Sequence, residues 1–501
     1  METADNPGKE PESGSRTPIL SALIVGVSLA LLLMLCVEGL SCLTDPFFRY
    51  NEEYQGVEFM AAAQLLHGKP LYADYNQAPA NYLYGPLSPV MFSAGMMLFG
   101  ESLFVPKALA FLFCLLAALG VAVATWDLIK SRLGVVISLG TFAALYRISE
   151  CWYFSIRPDL FSATLAFWGI YFAHRHTKKP EGVRPALVAS ALMGLAALGK
   201  QNYALIPAVY FLFMIFTYGP RKALIAFIPC FIIVGGALVW FDTGNEHLVG
   251  ITTLLSHHKM DYLRFPMQFI LIIMVIFLAC TAFLFPESPT RPAGLPRLWG
   301  YMFIASAILG HVSYMKEGGG QNAYMLFFFL GGLFTAVGTF NISREFGGGG
   351  KKARQVALLA VAIYLVSECS IQASGHTRSF LPAPSPAQVV ALIQENRGKR
   401  IYYPQRNYLT YLVNGQYDQC DLLGLAISDA GLAPPTRQVE RIKNQEFDMI
   451  LGDFLTPELR PIRDQYYVKT FSGVSPDGFQ LEIFVPKGSE EGKDAGKKPQ
   501  A

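Results

Sequence analysis

The sequence is short of charge. Only 15% of its 501 residues are Asp, Glu, Lys or Arg, against about 25% in ordinary soluble domains. That argues against a large water-soluble core. The net charge of +3 is too small for a nucleic-acid-binding surface. Paired cysteines are also lacking. The eight Cys are scattered with no CxxC spacing, so thiols packed in helices are expected rather than disulfides or a cysteine metal site. There is no solenoid-type repeat. The run Gly347 to Gly350 follows no strand and carries no Lys-Ser/Thr signature, so it reads as a linker and not a phosphate loop.

What is present is a series of apolar runs. Residues 1–17 are polar and expected to be disordered on the cytoplasmic side. The run from Pro18 to Leu40 is too long for the apolar part of a signal peptide, and is read as a retained first span. A long polar interruption follows, within a first outer loop over residues 41–102. Glu53 to Leu66 in it has the pattern of an amphipathic helix lying on the membrane surface. Gly85 to Gly100 is apolar but short, with two prolines, and reads as interfacial or re-entrant.

Further spans are expected at Ser102–Trp126, Gly134–Ser149, Ile156–Ala173, Pro185–Gly199, Tyr203–Tyr218, Ala223–Phe241, Phe265–Phe285, Leu298–Tyr314, Ala323–Phe340 and Gln355–Ile371. The expected fold class is an all-α polytopic domain over residues 18–372 with about 11 transmembrane helices. The pair Pro185–Tyr218 is short enough to be a re-entrant hairpin. Lys and Arg cluster in alternate loops, such as Arg175, Lys178 and Lys179, or Lys351, Lys352 and Arg354. Positive flanks prefer the cytoplasm. This places the N-terminus inside, and the first loop and the C-terminal region outside, a cytoplasmic (inner) membrane. Residues 382–487 alternate strand-like and helix-like stretches and read as a small extracytoplasmic α/β domain. Residues 488–501 are a polar, disordered tail.

On this topology the unusual polar residues gather at the outer face. Asp45, Glu52, Glu53 and Glu58 lie in the first loop, and Arg157 and Asp159 follow the next outer turn. Lys200, Gln201 and Asn202, then His257 and His258, then Lys316, Gln321 and Asn322 occupy later outer turns. Each has a plain structural reading: a wet helix face for the glutamates, helix capping and a mutual salt bridge for Arg157 and Asp159, snorkelling for the lysines, ordinary surface positions for the histidines. Their convergence from distant stretches favours chemistry. A carboxylate can take a proton from an attacking hydroxyl, and Lys or Arg can neutralise a phosphate leaving group. Glu53, then Glu52, then Asp45 are the candidate bases, with Asp159 as an orienting acid. Lys316, with Arg157 or Lys200, is the candidate phosphate holder. Tyr72, Asn81, Tyr84, Gln201, Gln321 and Asn322 suit a sugar or acceptor site, by aromatic stacking and amide hydrogen bonds. His257 and His258 are the candidate ligands of a divalent metal ion, the one cofactor considered.

The acidic residues soon after the first span, AAAQLLHGKPLYADY, YLYGPLSP, LFGESLFVPKALA, RPDLFSATLAF, GKQNYALIP and KEGGGQNAY together resemble the GT-C class of membrane glycosyltransferases. The likeness is to the bacterial protein-mannosyltransferase and lipid A aminoarabinose-transferase type. It implies a polyprenyl-phosphate-linked sugar donor, a lipid, glycan or protein acceptor, and inverting transfer outside the cytoplasmic membrane. The family's first-loop acid is usually Asp, often Asp-Glu, whereas this chain reads Asn51-Glu52-Glu53. Two other readings stand beside the enzyme. A transporter or glycolipid flippase predicts repeats and broken helices with polar groups at mid-membrane. A non-catalytic sugar-binding protein of the same fold needs no base.

Overall fold

The structure is a computed structural model. It describes residues 16–48, 52–72, 82–241, 295–316, 320–345, 350–379 and 387–490, the last stretch without 417, 419, 430, 432, 435, 453, 455 and 475–479. The order is α1 (Arg16–Thr44), α2 (Glu52–Leu66), α3 (Leu87–Phe99), α4 (Phe104–Ile129), α5 (Arg132–Ile148), α6 (Pro158–Lys178), α7 (Arg184–Gly199), α8 (Leu205–Tyr218) and α9 (Pro220–Phe241). Then come α10 (Leu295–Tyr314), α11 (Met325–Glu345) and α12 (Gly350–Ser379). Helices occur at every expected span except Phe265–Phe285, which lies outside the described residues, as do His257 and His258.

Length separates the helices. A rise of about 1.5 Å per residue makes the 29 residues of α1 long enough for a hydrocarbon core of about 30 Å. The 13 residues of α3 cannot reach across it. By length and composition, five stretches among the described residues are able to cross a membrane: Pro18–Thr44, Phe104–Ile129, Pro220–Phe241, Gln321–Phe340 and Gln355–Ser374. The 16-residue α7 and 14-residue α8 are shorter, and a 3-10 turn at Gln201–Ala204 joins them.

Side-chain pairings fix which helix ends lie together. At one end Arg147 of α5 grips Glu368 of α12 at 3.0 Å, and Lys107 of α4 donates to the carbonyl of Asp45, just past α1, at 2.7 Å. At the other end Asp127 of α4 takes Lys178 of α6 at 3.1 Å, and His176 of α6 meets Tyr218 of α8. Helices α1, α4, α5 and α6 therefore alternate in direction. The start of α6 falls at the first end, and Lys200 and Asn322 meet Asp159 there.

The C-terminal domain contains α13 (Ala387–Glu395), β1 (Ile401–Tyr402), α14 (Asn407–Asn414), α15 (Leu422–Asp429), α16 (Thr436–Lys443), β2 (Met449–Leu451), α17 (Leu459–Tyr466), β3 (Tyr467–Val474) and β4 (Gln480–Pro486). Its sheet runs β1-β2-β4-β3. The β1–β2 pair is parallel, with Ile401 opposite Met449; the other pairs are antiparallel, with Ile450 opposite Phe484 and Lys469 opposite Phe484. The strands and α13, α15 and α16 fall where the alternation places them. Helices α14 and α17 were not expected from it.

The main correction concerns α2. The face expected to be wet is buried at Glu58. Gln55, Glu58 and Gln64 are buried along with Val57, Phe59 and Met60. One side packs on α3. The other is covered by the C-terminal domain, where Tyr408 crowds Gly56 and packs on Phe48, and Tyr411 packs on Phe59.

Candidate active site

The site is assembled from α2, the segment from Tyr82 to Gly85, the start of α6, the α7–α8 turn and the α10–α11 turn. Gly85 allows the first close approach. A Cβ there would overlap the carbonyl oxygen of Leu198 in α7, so the segment lies directly on the α7 end that leads into Lys200.

Arg157 caps the start of α6 and is 5% exposed. Its Nη2 donates to the Tyr84 hydroxyl at 2.7 Å. Its guanidinium lies 4.9 Å from the Tyr54 ring, 4.7 Å from Tyr84 and 5.6 Å from Trp152. Three rings hold the cation by their negative faces. Nε and Nη1 are buried with no hydrogen-bond partner among the described residues. A buried guanidinium with two unused donors is built to accept an anion.

Asp159, two residues on, is not paired to Arg157 by an ion pair. Its Oδ1 takes Lys200 Nζ at 2.5 Å, and its Oδ2 takes Asn322 Nδ2 at 3.0 Å. This draws the α6 start, the α7–α8 turn and the α10–α11 turn together. Lys316 sits near Lys200, and burial followed by the Lys200 charge holds its amine below the usual lysine range. Glu150 reaches the same turn, where its Oε2 accepts from the Gln321 backbone at 3.4 Å. In Gln201 the side-chain oxygen is buried without a hydrogen-bond partner among the described residues.

Glu58 was counted among the converging polar residues but was expected to have no role of its own in the site. It is fully buried, and its Oε2 accepts from the Tyr82 hydroxyl at 2.5 Å. Burial pushes its carboxyl up to about 8, against the pull of Arg157 and the Tyr82 hydrogen bond. Only its position on α2 could have marked it, and the helix pattern placed it on the wet face.

The remaining expected residues are placed as follows. Glu52 and Glu53 open α2, and their side chains lie outside the described residues. They precede Tyr54, whose ring packs on Arg157. Asp45 accepts from the Phe47 backbone at 2.9 Å, a local turn just past α1. Tyr72 is fully buried and donates to the Tyr84 carbonyl at 2.6 Å, so it shapes the loop that holds Tyr84. Asn81 lies outside the described residues. No group of three or more His, Cys, Asp and Glu among the described residues fits a metal ion. Asp159 already has both oxygens occupied.

No protein-family model and no curated protein matches this sequence. Solved structures do. The chain is similar to ArnT from Cupriavidus metallidurans bound to undecaprenyl phosphate, at 12% identity over 95% of this chain and 99% of that one, TM-score 0.59. It is similar to the Archaeoglobus fulgidus oligosaccharyltransferase in its apo form, at 12% identity over 94% and 75%, TM-score 0.54. The archaeal oligosaccharyltransferase AglB from the same organism, in complex with an inhibitory peptide and a dolichol-phosphate, matches at 10% identity over 97% and 76%, TM-score 0.50. The architecture expected from the apolar runs and the resemblance is the one observed: the chain has the GT-C-like polytopic fold of these membrane proteins, with a small α/β domain at its C-terminus.

Proposed function

We propose that the chain is a membrane glycosyltransferase. It moves a sugar from a polyprenyl-phosphate-linked donor to a lipid, glycan or protein acceptor at the outer face of the cytoplasmic membrane, with inversion. The observation that carries this reading is Arg157: a buried, ring-clamped guanidinium with two donor nitrogens that have no partner among the described residues, sharing the Tyr84 ring with Lys200, in a fold whose solved examples hold undecaprenyl phosphate or dolichol-phosphate.

The residues then divide by role. Arg157 and Lys316 hold the donor phosphate and take up its charge as the bond between phosphate oxygen and anomeric carbon breaks. Lys200, already committed to Asp159, adds field rather than a direct contact. The acceptor hydroxyl attacks the anomeric carbon from the face opposite the phosphate, which inverts that centre. Its proton passes to a first-loop carboxylate. Glu53 is our choice, with Glu52 second and Asp45 third. Asp159 has no unused oxygen, and Glu58 is protonated at neutral pH. Tyr84, Gln201 and Gln321 line the sugar and acceptor side. The basic loops at the opposite helix ends support the orientation. Among the described residues, the candidate polar groups sit at helix ends and not at mid-membrane, which does not suit a flippase.

Mass spectrometry of lipid extracts from a deletion strain tests the function. A polyprenyl-phosphate sugar should accumulate, fall back with the intact chain, and stay high with Arg157→Ala. An unchanged pool overturns the reading.

A further inference from the structure

Glu58 has no part in the chemistry just described, yet it lies at the centre of the site. One carboxyl oxygen accepts from Tyr82 at 2.5 Å, and the other is buried with no hydrogen-bond partner among the described residues. No cation lies within ion-pair distance among them. The charges that act on it come from the elements around it: Arg157 and Asp159 from the start of α6, and Lys200 from the α7–α8 turn. Tyr72 and Tyr84 pack on the Tyr82 ring. Arg157 is the strongest of those charges, and it is the cation left with two unused donors.

We infer that Glu58, joined to Tyr82, is a positioning residue held neutral so that Arg157 keeps its charge for the donor's phosphate, and that ionisation of Glu58 turns this charge inward and loosens the donor. The inference rests on the functional reading above, and adds to it a device that sets when the phosphate site is strong. Glu58 is linked to Arg157 through Tyr82, whose ring packs on the Tyr84 that Arg157 bonds, and a protonated carboxyl at this position leaves the guanidinium uncompensated. A carboxylate at the same place neutralises it, and the phosphate must then compete. The geometry explains why an acid stands here instead of an apolar residue. The burial that raises Glu58 puts its titration near pH 8, within reach of physiological change.

The test uses the full chain in nanodiscs, with polyprenyl phosphate lacking any sugar as the probe. A phosphate monoester completes its own titration near about pH 6, so the range above 7 reports the protein. Wild-type affinity should fall about tenfold from pH 7 to 9.5. Glu58→Gln should stay tight and lose most of that slope. Lys316 also loses charge in the alkaline range, so the slope left in Glu58→Gln is its share. The Tyr82 hydrogen bond favours the ionised carboxyl, so Tyr82→Phe should move the fall to higher pH, which a purely structural role would not do. Infrared difference spectra should show a carboxylic-acid C=O band in wild type that fades across pH 8 and is missing in Glu58→Gln. Parallel binding profiles for wild type and Glu58→Gln, or no such band at pH 7, overturn the inference and leave the functional reading standing. Failure of wild type to bind the lipid phosphate at any pH overturns both.

Discussion

Lys200 Nζ donates to Asp159 Oδ1 at 2.5 Å, and the pair is almost sealed: the Asp159 side chain is 1% exposed and Lys200 12%. Asn322 closes the other carboxylate oxygen. Three turns from far-apart stretches of chain meet on this one carboxylate.

Removing one partner should therefore hurt more than removing both. Lys200→Ala leaves a buried carboxylate without its cation, and a broken buried pair costs about 3–5 kcal/mol. Asp159→Ala leaves a buried ammonium with the same order of cost. The double variant should recover part of the loss. Thermal unfolding of the purified protein in detergent, arranged as a double-mutant cycle, measures the coupling. Additive losses would show that the pair holds nothing together.

Glu58 makes the pH dependence of stability run in the unusual direction. Its carboxyl is raised from 4.5 to about 8 in the folded chain. Between those values the folded state keeps a proton that the unfolded chain has released. Stability falls as pH rises through that window, by up to about 1.4 kcal/mol per pH unit, and levels off above pH 8. The difference in unfolding temperature between wild type and Glu58→Gln, followed from pH 5 to 9, should move steadily in favour of the variant. A constant difference across that range would mean Glu58 titrates normally.

The long apolar runs and the clusters of Lys and Arg made the bundle and its alternation legible, because both signals are local. Even α3 was recognisable as too short to span. The error at α2 has a physical cause. Glu58 reads as part of a wet glutamate face until Tyr408 and Tyr411, some 350 residues later, are known to cover the helix. No periodicity in a window carries that fact. Lys200, Lys316 and Arg157 stood out as isolated cations at helix ends, but their pairings did not. Sequence proximity suggested Arg157 for Asp159, while the fold supplies Lys200. Helix α14, NYLTYLVN, has two Tyr, two Asn, one Thr and one Val in its 8 residues and carries little helical signal of its own. Its burial against α2 settles its form.

Orientation is open to direct labelling. Single cysteines at Gln321, Lys178 and Lys352, made in a background without the native cysteines, should divide by side. Gln321 should react with an impermeant maleimide in intact cells, and the two lysine positions only after permeabilisation, because basic loops stay in the cytoplasm. The reverse pattern would place the Arg157 end inside.

The base is the last prediction. A carboxylate that accepts the acceptor's proton must be ionised before reaction and have an oxygen to spare. Asp159 fails the second condition, since Lys200 and Asn322 use both of its oxygens. Glu58 fails the first at neutral pH. Asp45 gives one oxygen to the Phe47 backbone and keeps the other, so it stays third choice. Glu52 and Glu53 stand ahead of it, at the first turn of α2, next in sequence to the Tyr54 that packs on Arg157. That places the candidate base one residue from the cage of the proposed phosphate cation, on a helix clamped by the C-terminal domain. Loss of a general base costs about 100-fold to 10,000-fold in rate. Glu53→Gln keeps the shape and removes the basicity, so it should unfold at the wild-type temperature, bind polyprenyl phosphate normally and lose turnover by that factor. Glu52→Gln should lose much less. If the larger loss falls on Glu52→Gln, the roles exchange within the same turn. If both variants transfer sugar at near-normal rates, the first loop does not supply the base.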